Sequence, residues 1–323
     1  MTRFIGKRIL TAILCIFVAL CLNFIIIHAA PGDPIRILVG PNNTSPELVE
    51  ELTKKYGLDQ PEYVQFLRYL GNLARGDLGT SIYTGEDVTS MIWERMGPTA
   101  LLALTAAVLA LIIGTAIGIF SGRRVGSKLD SFIGSVSYLF DAMPVFWLGL
   151  MLILIFASIL GILPTAGMVD IRADNEGFLH VLDVMKHMIL PVSALTLTLI
   201  PYYMRIARSA VVQVIGEDFI TTLRATGMPE SRIYRKYVFR NAILPTITVF
   251  GIHMAYLVTG SAIVEIVFSW PGMGSFVMTA ISRRDYSLLM GIYFILSVSV
   301  AVMMIVVDLV YAALDPRIRH AKS

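Results

Sequence analysis

Of the 323 residues, 56% are hydrophobic and only 15% charged, and the mean hydropathy is +0.74. That is too apolar for a soluble globule, even one with a large core, so the chain reads as an integral membrane protein. A net charge of +3 gives no support to nucleic-acid binding, and two cysteines, Cys15 and Cys21, both inside the first apolar run, give none to a disulfide framework or a cysteine metal site.

In chain order, Arg3, Lys7 and Arg8 precede an apolar run from Ile9 to Ala30, long enough to cross a hydrocarbon core of about 30 Å. His28-Ala29-Ala30 does not place a small residue at both positions that define a signal cleavage site, so residues 1–30 are expected to stay as a transmembrane helix. From residue 31 to 97 the composition turns polar. Pro31-Gly32-Asp33-Pro34 is turn chemistry that stops the first helix, and Pro46 to Tyr56 and Tyr63 to Leu73 carry apolar residues at helical spacing. A small helical extracytoplasmic insertion is expected there.

Five further apolar runs follow: Thr99 to Phe120, roughly Phe132 to Leu163, Met188 to Val214, Thr246 to Phe268 and Leu288 to Ala313. The expected organisation is therefore all-α, with about six transmembrane helices. Residues 98–313 form a five-helix core that includes a loop over 216–245, and residues 314–323 form a tail. The run from Thr99 is rich in small residues, among them Ala103, Ala106, Ala107, Ala110, Gly114 and Gly118, which let helices approach closely, and it is expected inside the bundle. Pro144, Pro191 and Pro201 are expected to kink or start their helices. Glu265 and Asp308 lie near span ends and Asp141 falls early in a run too long for one span, so all three are within reach of the interface and are expected to have a structural or snorkelling role. His253 is expected to make a helix-to-helix hydrogen bond.

With the N-terminus inside, the inner segments hold 16 of the 26 Lys and Arg residues, while 10 of the 23 acids lie between Asp33 and Glu94 on the outside. The positive-inside rule then makes both termini and the 216–245 loop cytoplasmic, in a multi-pass protein of the cell membrane.

That loop is the most informative polar stretch. Phe219, Ile220 and Leu223 fall on one face of a short helix whose first residues are acidic, which suits its dipole. Gly227 is placed to end the helix in the left-handed conformation, and Pro229-Glu230 to begin a second one. In the second, Ile233, Tyr234, Tyr237 and Val238 recur at helical spacing, with Arg232, Arg235, Lys236 and Arg240 on the remainder. Such a helix-turn-helix lies along a membrane surface or against a partner.

Arg224-Ala225-Thr226-Gly227, followed by Asn241-Ala242-Ile243-Leu244-Pro245, resembles the EAA loop of ABC-importer permeases. Thr221-Thr222-Leu223 stand near the place of the name-giving Glu-Ala-Ala, and the gap to Pro245 is longer than in sugar importers. Both departures are similar to the dipeptide, oligopeptide and nickel branch. Phe268-Ser269-Trp270-Pro271-Gly272-Met273-Gly274 with Arg283-Arg284-Asp285-Tyr286 resembles the outer loop of that branch, as do the early Pro31-Gly32-Asp33-Pro34 and the terminal Leu314-Asp315-Pro316-Arg317.

The resemblance is to the B-type membrane subunit of these importers, and it implies a fold of the type I importer permease kind. It also implies a second homologous permease, two cytoplasmic ATPase subunits that hold ATP and Mg, and an extracytoplasmic substrate-binding protein, with no cofactor on this chain. Carried over residue by residue, it assigns coupling to the ATPase to Phe219, Leu223, Arg224, Ala225, Gly227, Pro229 and Arg232. It assigns the loop facing the binding protein to Trp270, Pro271, Gly272, Gly274, Arg284 and Asp285, although Trp270 also suits an interfacial aromatic anchor.

Peptide cargo, nickel cargo and, as another class, a gradient-driven secondary transporter are the readings open at this point. The chain has no phosphate-binding loop, since Gly122 to Lys128 has glycine and lysine at the wrong spacing, and it has neither a nucleophile elbow nor a His-Glu-x-x-His zinc motif. It is not expected to be an enzyme.

Overall fold

The computed structural model describes residues 2–29, 32, 34–39, 45–173 and 176–314. Parts of the Pro31 to Pro34 turn, and the tail beyond Leu314 with its Asp315-Pro316-Arg317, lie outside the described residues. Every regular element among the described residues is helical, apart from one isolated antiparallel bridge between Thr80 and Asp87. A helix satisfies its own backbone groups, which is what lipid demands of a spanning segment.

Helix α1 (Thr2–Ala29) is the first apolar run. Three short helices follow, α2 (Pro34–Val39), α3 (Pro46–Lys55) and α4 (Glu62–Ala74), the last two at the expected amphipathic pieces. Helix α5 (Val88–Gly122) starts well before the expected boundary at residue 98 and carries Pro98 inside it. Its early start has a local cause: Asp87 accepts a hydrogen bond from the Ser90 amide at 2.9 Å and so caps the first turn.

The expected single span over 132–163 is instead two legs, α6 (Lys128–Ala142) and α7 (Val145–Leu152), the second continuing as a π-helical stretch Ile153–Ile159. The legs are bent by 99°. Pro144 has no amide hydrogen and pushes Met143 out of the helical region, to φ −80° and ψ 127°, so the turn falls there. Helix α8 (Gly177–Ile215) runs through Pro191 and Pro201 without ending.

Next come α9 (Asp218–Ala225), α10 (Glu230–Arg232) with a π-helical stretch Ile233–Val238, and α11 (Phe239–Gly260). Pro245 lies inside α11 rather than at its start. The expected run over 246–268 is divided at Ser261 between α11 and α12 (Ala262–Val267). Helices α13 (Met273–Arg283) and α14 (Tyr286–Leu314) complete the chain. Among the described residues, four helices are long and apolar enough to cross a membrane, or five with the bent pair taken as one. The α11–α12 pair is the remaining expected run.

The chain divides into two compact units, Met1–Thr99 with Pro271–Val306 and Ala100–Trp270 with Val307–Ser323. In the first, Phe24, Ile27, Leu78, Val88, Ile92, Met273, Phe276 and Leu288 share one apolar core. The Tyr69 hydroxyl reaches the Met290 carbonyl at 3.2 Å, and burial pushes its phenol well above the usual range.

In the second unit, α8 is the axis. Ala103, Ala106, Ala107 and Ala110 of α5 are buried, and Gly114, Gly118 and Gly122 meet α8 directly, as the small residues of that run foretell. One core gathers Leu102, Val184, Met188, Val264, Phe268 and Trp270, and a second gathers Ala210, Val211, Ile220, Ile233, Val238 and Ala242.

One acid expected to reach the interface is placed otherwise: Glu265 is fully buried and accepts from the Ser261 hydroxyl at 2.8 Å, because a carboxylate buried in an apolar run needs a polar partner. Asp141 is exposed and pairs with Arg205 at 2.9 Å. The Asp308 side chain lies outside the description.

Candidate functional site

The segment from Glu217 to Val238 is built by local chemistry. Glu217 is extended at φ −73° and ψ 143°, and Asp218 sits in the first turn of α9, where a negative charge meets the positive end of the helix. Ile220 is fully buried and Leu223 half-buried against Val211, Ile233 and Val238. Full burial of one such side chain is worth about 1.5–3 kcal/mol. Phe219 does not share that face: it is 40% exposed. Residues one apart in a helix are turned by about 100°, so a single helix of eight residues buries Ile220 and presents Phe219.

The helix ends in a Schellman turn. The Met228 amide donates to the Leu223 carbonyl at 3.2 Å and the Gly227 amide to the Arg224 carbonyl at 3.0 Å, with Gly227 left-handed at φ +77°. Met228 and Leu223 both pack on the core beneath, the apolar contact that completes this motif. Pro229 is then extended at φ −64° and ψ 137°, and α10 begins. Across the turn Arg224 grips Glu230 with two hydrogen bonds, at 2.6 and 3.4 Å. Both side chains are exposed, so water screens the pair and it adds little to stability. Its use is to fix the angle between the two helices.

In the second helix Ile233 and Val238 are both fully buried although five residues apart. An α-helix does not return to one face at that spacing, and the chain answers with a π-helical turn over 233–238. The Arg123 guanidinium lies 4.4 Å from the Tyr234 ring centroid and holds the outer side of that turn. Phe219, Arg224, Ala225, Gly227, Pro229 and Arg232 are each exposed, as are Arg235 and Lys236, and the segment that carries them stands as a ridge over the core of Ile220, Ile233 and Val238. Leu223 belongs to its packed underside. The ridge offers a mixed apolar and basic surface on a rigid base, a shape suited to being gripped.

A charged cluster that sequence reading missed lies in the same unit. Asp130 is buried, and Arg208 of α8 donates to its two oxygens at 2.8 Å each. The Ser121 hydroxyl and the Gly126 amide supply the other two bonds. Each carboxylate oxygen thus takes two donors, and α6 is tied to α8 just ahead of α9. A local signal was available in Ser127 and Asp130, spaced as a capping pair: the Ser127 hydroxyl accepts from the Asp130 amide.

The residues nominated for an outer contact are placed differently. Trp270 is 0% exposed and closes the core of its unit beside Phe268, so its ring is neither an interfacial anchor nor a surface for a partner. Gly272 and Gly274 are buried, and Pro271 and Arg284 half-buried. Asp285 is 2% exposed and accepts from the Ser81 hydroxyl and from the amides of Ile82, Tyr83 and Leu288. It caps α14 and pins the 81–83 loop of the same unit. Burial removes Trp270, Gly272, Gly274 and Asp285 from contact. The exposed side chains of this stretch are Ser269, Met278, Thr279, Ile281, Ser282 and Arg283, the last stacked on Tyr83 at 4.1 Å.

Comparison with known proteins adds to this geometry. Residues 114–320 match the family model described as binding-protein-dependent transport system inner membrane component, and residues 1–103 match the N-terminal model of such membrane components. The chain is 37% identical to the oligopeptide transport system permease protein AppB of Bacillus subtilis, over 99% of this chain and 100% of that one. It is 35% identical to the di/tripeptide transport system permease protein DppB of Pseudomonas aeruginosa, over 100% of both. A probable D,D-dipeptide permease, DdpB of Escherichia coli, is 39% identical over 92% of each chain. Among solved structures, inward-facing MetNI methionine ABC transporter matches with a TM-score of 0.56 at 18% identity, over 70% of this chain and 97% of that one. That likeness concerns the fold.

Proposed function

The chain belongs to the inner-membrane components of binding-protein-dependent transport systems, and from that membership we propose that it is one membrane subunit of an ATP-driven importer of short peptides. It forms half of the translocation path. It catalyses no reaction itself, because ATP is hydrolysed on a separate subunit. The observation that carries the cargo is that relatives aligned over the whole chain are named for oligopeptides and di- or tripeptides, which favours peptide over nickel.

The partners in this reading are a second homologous permease, two cytoplasmic ATPase subunits with ATP and Mg, and an extracytoplasmic binding protein. The termini and the 217–240 ridge face the cytoplasm, in keeping with the distribution of positive charge. An importer has to couple a nucleotide-driven movement below the membrane to alternating access within it, and rigid helices with two packings are the usual means. The ridge suits that task. It is exposed on one side, seated on a packed core on the other, and continuous through the π-helical turn with α11. A push on Phe219 and Arg224 is delivered to α8 through Ile220 and to α11 through Val238.

Two outcomes are expected. Leu223→Asp places a charge on the packed underside of α9, at a cost of several kcal/mol unless α9 detaches. The tagged complex purified in mild detergent then loses its ATPase subunit, whereas the unaltered chain retains both the ATPase and a second permease. Recovery of a lone, ATPase-free wild-type chain would turn the reading toward a gradient-driven transporter. Gly227→Val puts a β-branched residue at φ +77°, costing about 1–2 kcal/mol locally and breaking the Schellman turn. Peptide uptake by vesicles is expected to be abolished while the chain still inserts. Uptake at the wild-type rate would show that the turn is dispensable.

A further inference from the structure

We propose that the polar face of α8 centred on Tyr202, together with His253 of α11, is a wall of the translocation path, and that Tyr202 and His253 touch the main chain of the passing peptide. The inference rests on the reading of the chain as a peptide permease subunit.

Thr198, Tyr202, Ser209 and Gln213 recur along α8 at spacings of four, seven and four, which is one stripe of a helix. Ile206 is the apolar residue between them. Tyr202 is 37% exposed, Ser209 and Gln213 are exposed, and Thr198 is half-buried. The opposite arrangement holds on the packed side, where Tyr203, Met204, Ala207 and Val211 are buried against the rest of the unit. The packed side is mostly apolar, with Thr196 bonded to the Ala106 carbonyl, and the outward stripe is mostly polar, with Val212 beside it at 38% exposed. The Thr198 hydroxyl is bonded to carbonyls of its own helix, so Tyr202, Ser209 and Gln213 carry the outward polarity. A lipid face looks different: on α1 the exposed residues include Leu10, Ile13, Leu14, Leu22, Ile25 and Ile26. Polar groups turned toward hydrocarbon cost several kcal/mol each, so a stripe of this kind in a membrane helix looks onto water.

His253 gives the stripe a binding group. Its ring stacks on Tyr202, with centroids 4.6 Å apart and planes at 24°. Its Nδ1 lies 3.1 Å from the hydroxyl of the fully buried Tyr203. With the phenol donating to Nδ1, the imidazole carries its proton on Nε2, and no described residue accepts it there. A peptide carbonyl or terminal carboxylate is the complementary acceptor, and the Tyr202 ring is a flat surface for the main chain beside it. Every peptide has these groups whatever its side chains, so the contact suits a carrier that passes what a separate protein has selected.

The test uses the intact complex in membrane vesicles with Cys15 and Cys21 replaced by serine. Single cysteines are placed at Tyr202 and Ser209, and at Ile13 as the lipid-face control. A membrane-impermeant cationic thiol reagent is expected to modify Tyr202→Cys and Ser209→Cys but not Ile13→Cys. Tripeptide at about ten times its Kd slows modification at Tyr202→Cys about tenfold, the occupancy factor. His253→Leu raises the KM for peptide uptake about five- to tenfold, the worth of one hydrogen bond, and His253→Gln, which keeps a donor, restores most of it.

No modification at either stripe position overturns the wall. Ser209→Cys is nearly isosteric and decides this even if Tyr202→Cys does not assemble. Modification that tripeptide leaves unchanged, or a KM unmoved in His253→Leu, overturns the contact. ATP-driven tripeptide uptake by the wild type is measured in the same vesicles. Its absence would sink the cargo reading, while the labelling pattern still decides whether the stripe meets water.

Discussion

Asp130→Asn is expected to destabilise the chain by about 2–4 kcal/mol, among the largest effects of any isosteric change here. Asp130 has four donors converging on two oxygens: Arg208 Nε and the Ser121 hydroxyl on one, the second Arg208 nitrogen and the Gly126 amide on the other. An asparagine keeps the shape but replaces one oxygen with an NH2 group, which then faces two donors. It also leaves the guanidinium without its counter-charge. Removing one partner of a fully buried pair typically costs about 3–5 kcal/mol, and the range here is set lower because the Arg208 side chain is 34% exposed.

Thermal unfolding of the purified complex in detergent measures the loss. The double variant Asp130→Asn with Arg208→Gln is expected to recover part of it, giving a coupling energy of about 1–3 kcal/mol. An unchanged melting temperature in Asp130→Asn would show that the network does not hold α6 to α8. Transport is expected to fall further than stability alone explains, because Arg208 sits on α8 shortly before the ridge and the tie keeps that end of the helix aligned.

The ridge itself was legible in the sequence because its determinants are local. Gly227, Pro229 and Asp218 each act within a turn of where they stand, and the structure uses them so. What failed there was Phe219, expected on the apolar face with Ile220 and Leu223 but 40% exposed, because residues one apart in a helix are turned by about 100°. Ile233, Tyr234, Tyr237 and Val238 do share one core, as their grouping in the sequence suggests, but Ile233 and Val238 reach it from five residues apart only through the π-helical turn. The break at Pro144 was half legible: the proline announced a kink, but only the packed structure sets it at 99°.

Non-local contacts were not legible at all. Asp130 meets Arg208 across 78 residues, and Asp285 meets the 81–83 loop across more than 200. Polarity in a loop says that a group needs partners, not whether water or backbone amides supply them. Trp270 carries the same lesson in apolar form. An aromatic beside Pro and Gly in a loop is equally consistent with an exposed anchor and a core plug, and its neighbours Phe268 and Val264 decide for the core.

Gly118→Ala is expected to separate α5 from α8, and the effect should exceed that of any other single methyl added to the chain's helices. A Cβ at Gly118 lies 2.4 Å from the Met204 carbonyl oxygen and 2.7 Å from Ala207 Cβ. The first obstacle is backbone, so no side-chain rotation relieves it and the helices have to move apart. Overpacking of this kind costs about 1–3 kcal/mol or more, and here it is compounded along the seam. Gly114 and Gly122 make the same close approach one turn away on either side, with added Cβ atoms 2.8 Å from Tyr203 and 2.9 Å from Val211.

The control is Gly134→Ala on α6. That position is helical with nothing within 4 Å of an added Cβ, so alanine is expected to be neutral or to stabilise by about 0.5–1 kcal/mol through helix propensity. Both variants add the same methyl group, and only one meets a neighbouring helix. A melting temperature lowered by Gly118→Ala and maintained by Gly134→Ala would establish that the glycines of α5 serve contact with α8. Equal behaviour would show that α5 and α8 are not held as closely as the seam requires. Because the stripe on α8 is turned outward only while its packed side stays seated on these glycines, Gly118→Ala should also blur the contrast in thiol labelling between Ser209→Cys and a buried position such as Ala207→Cys.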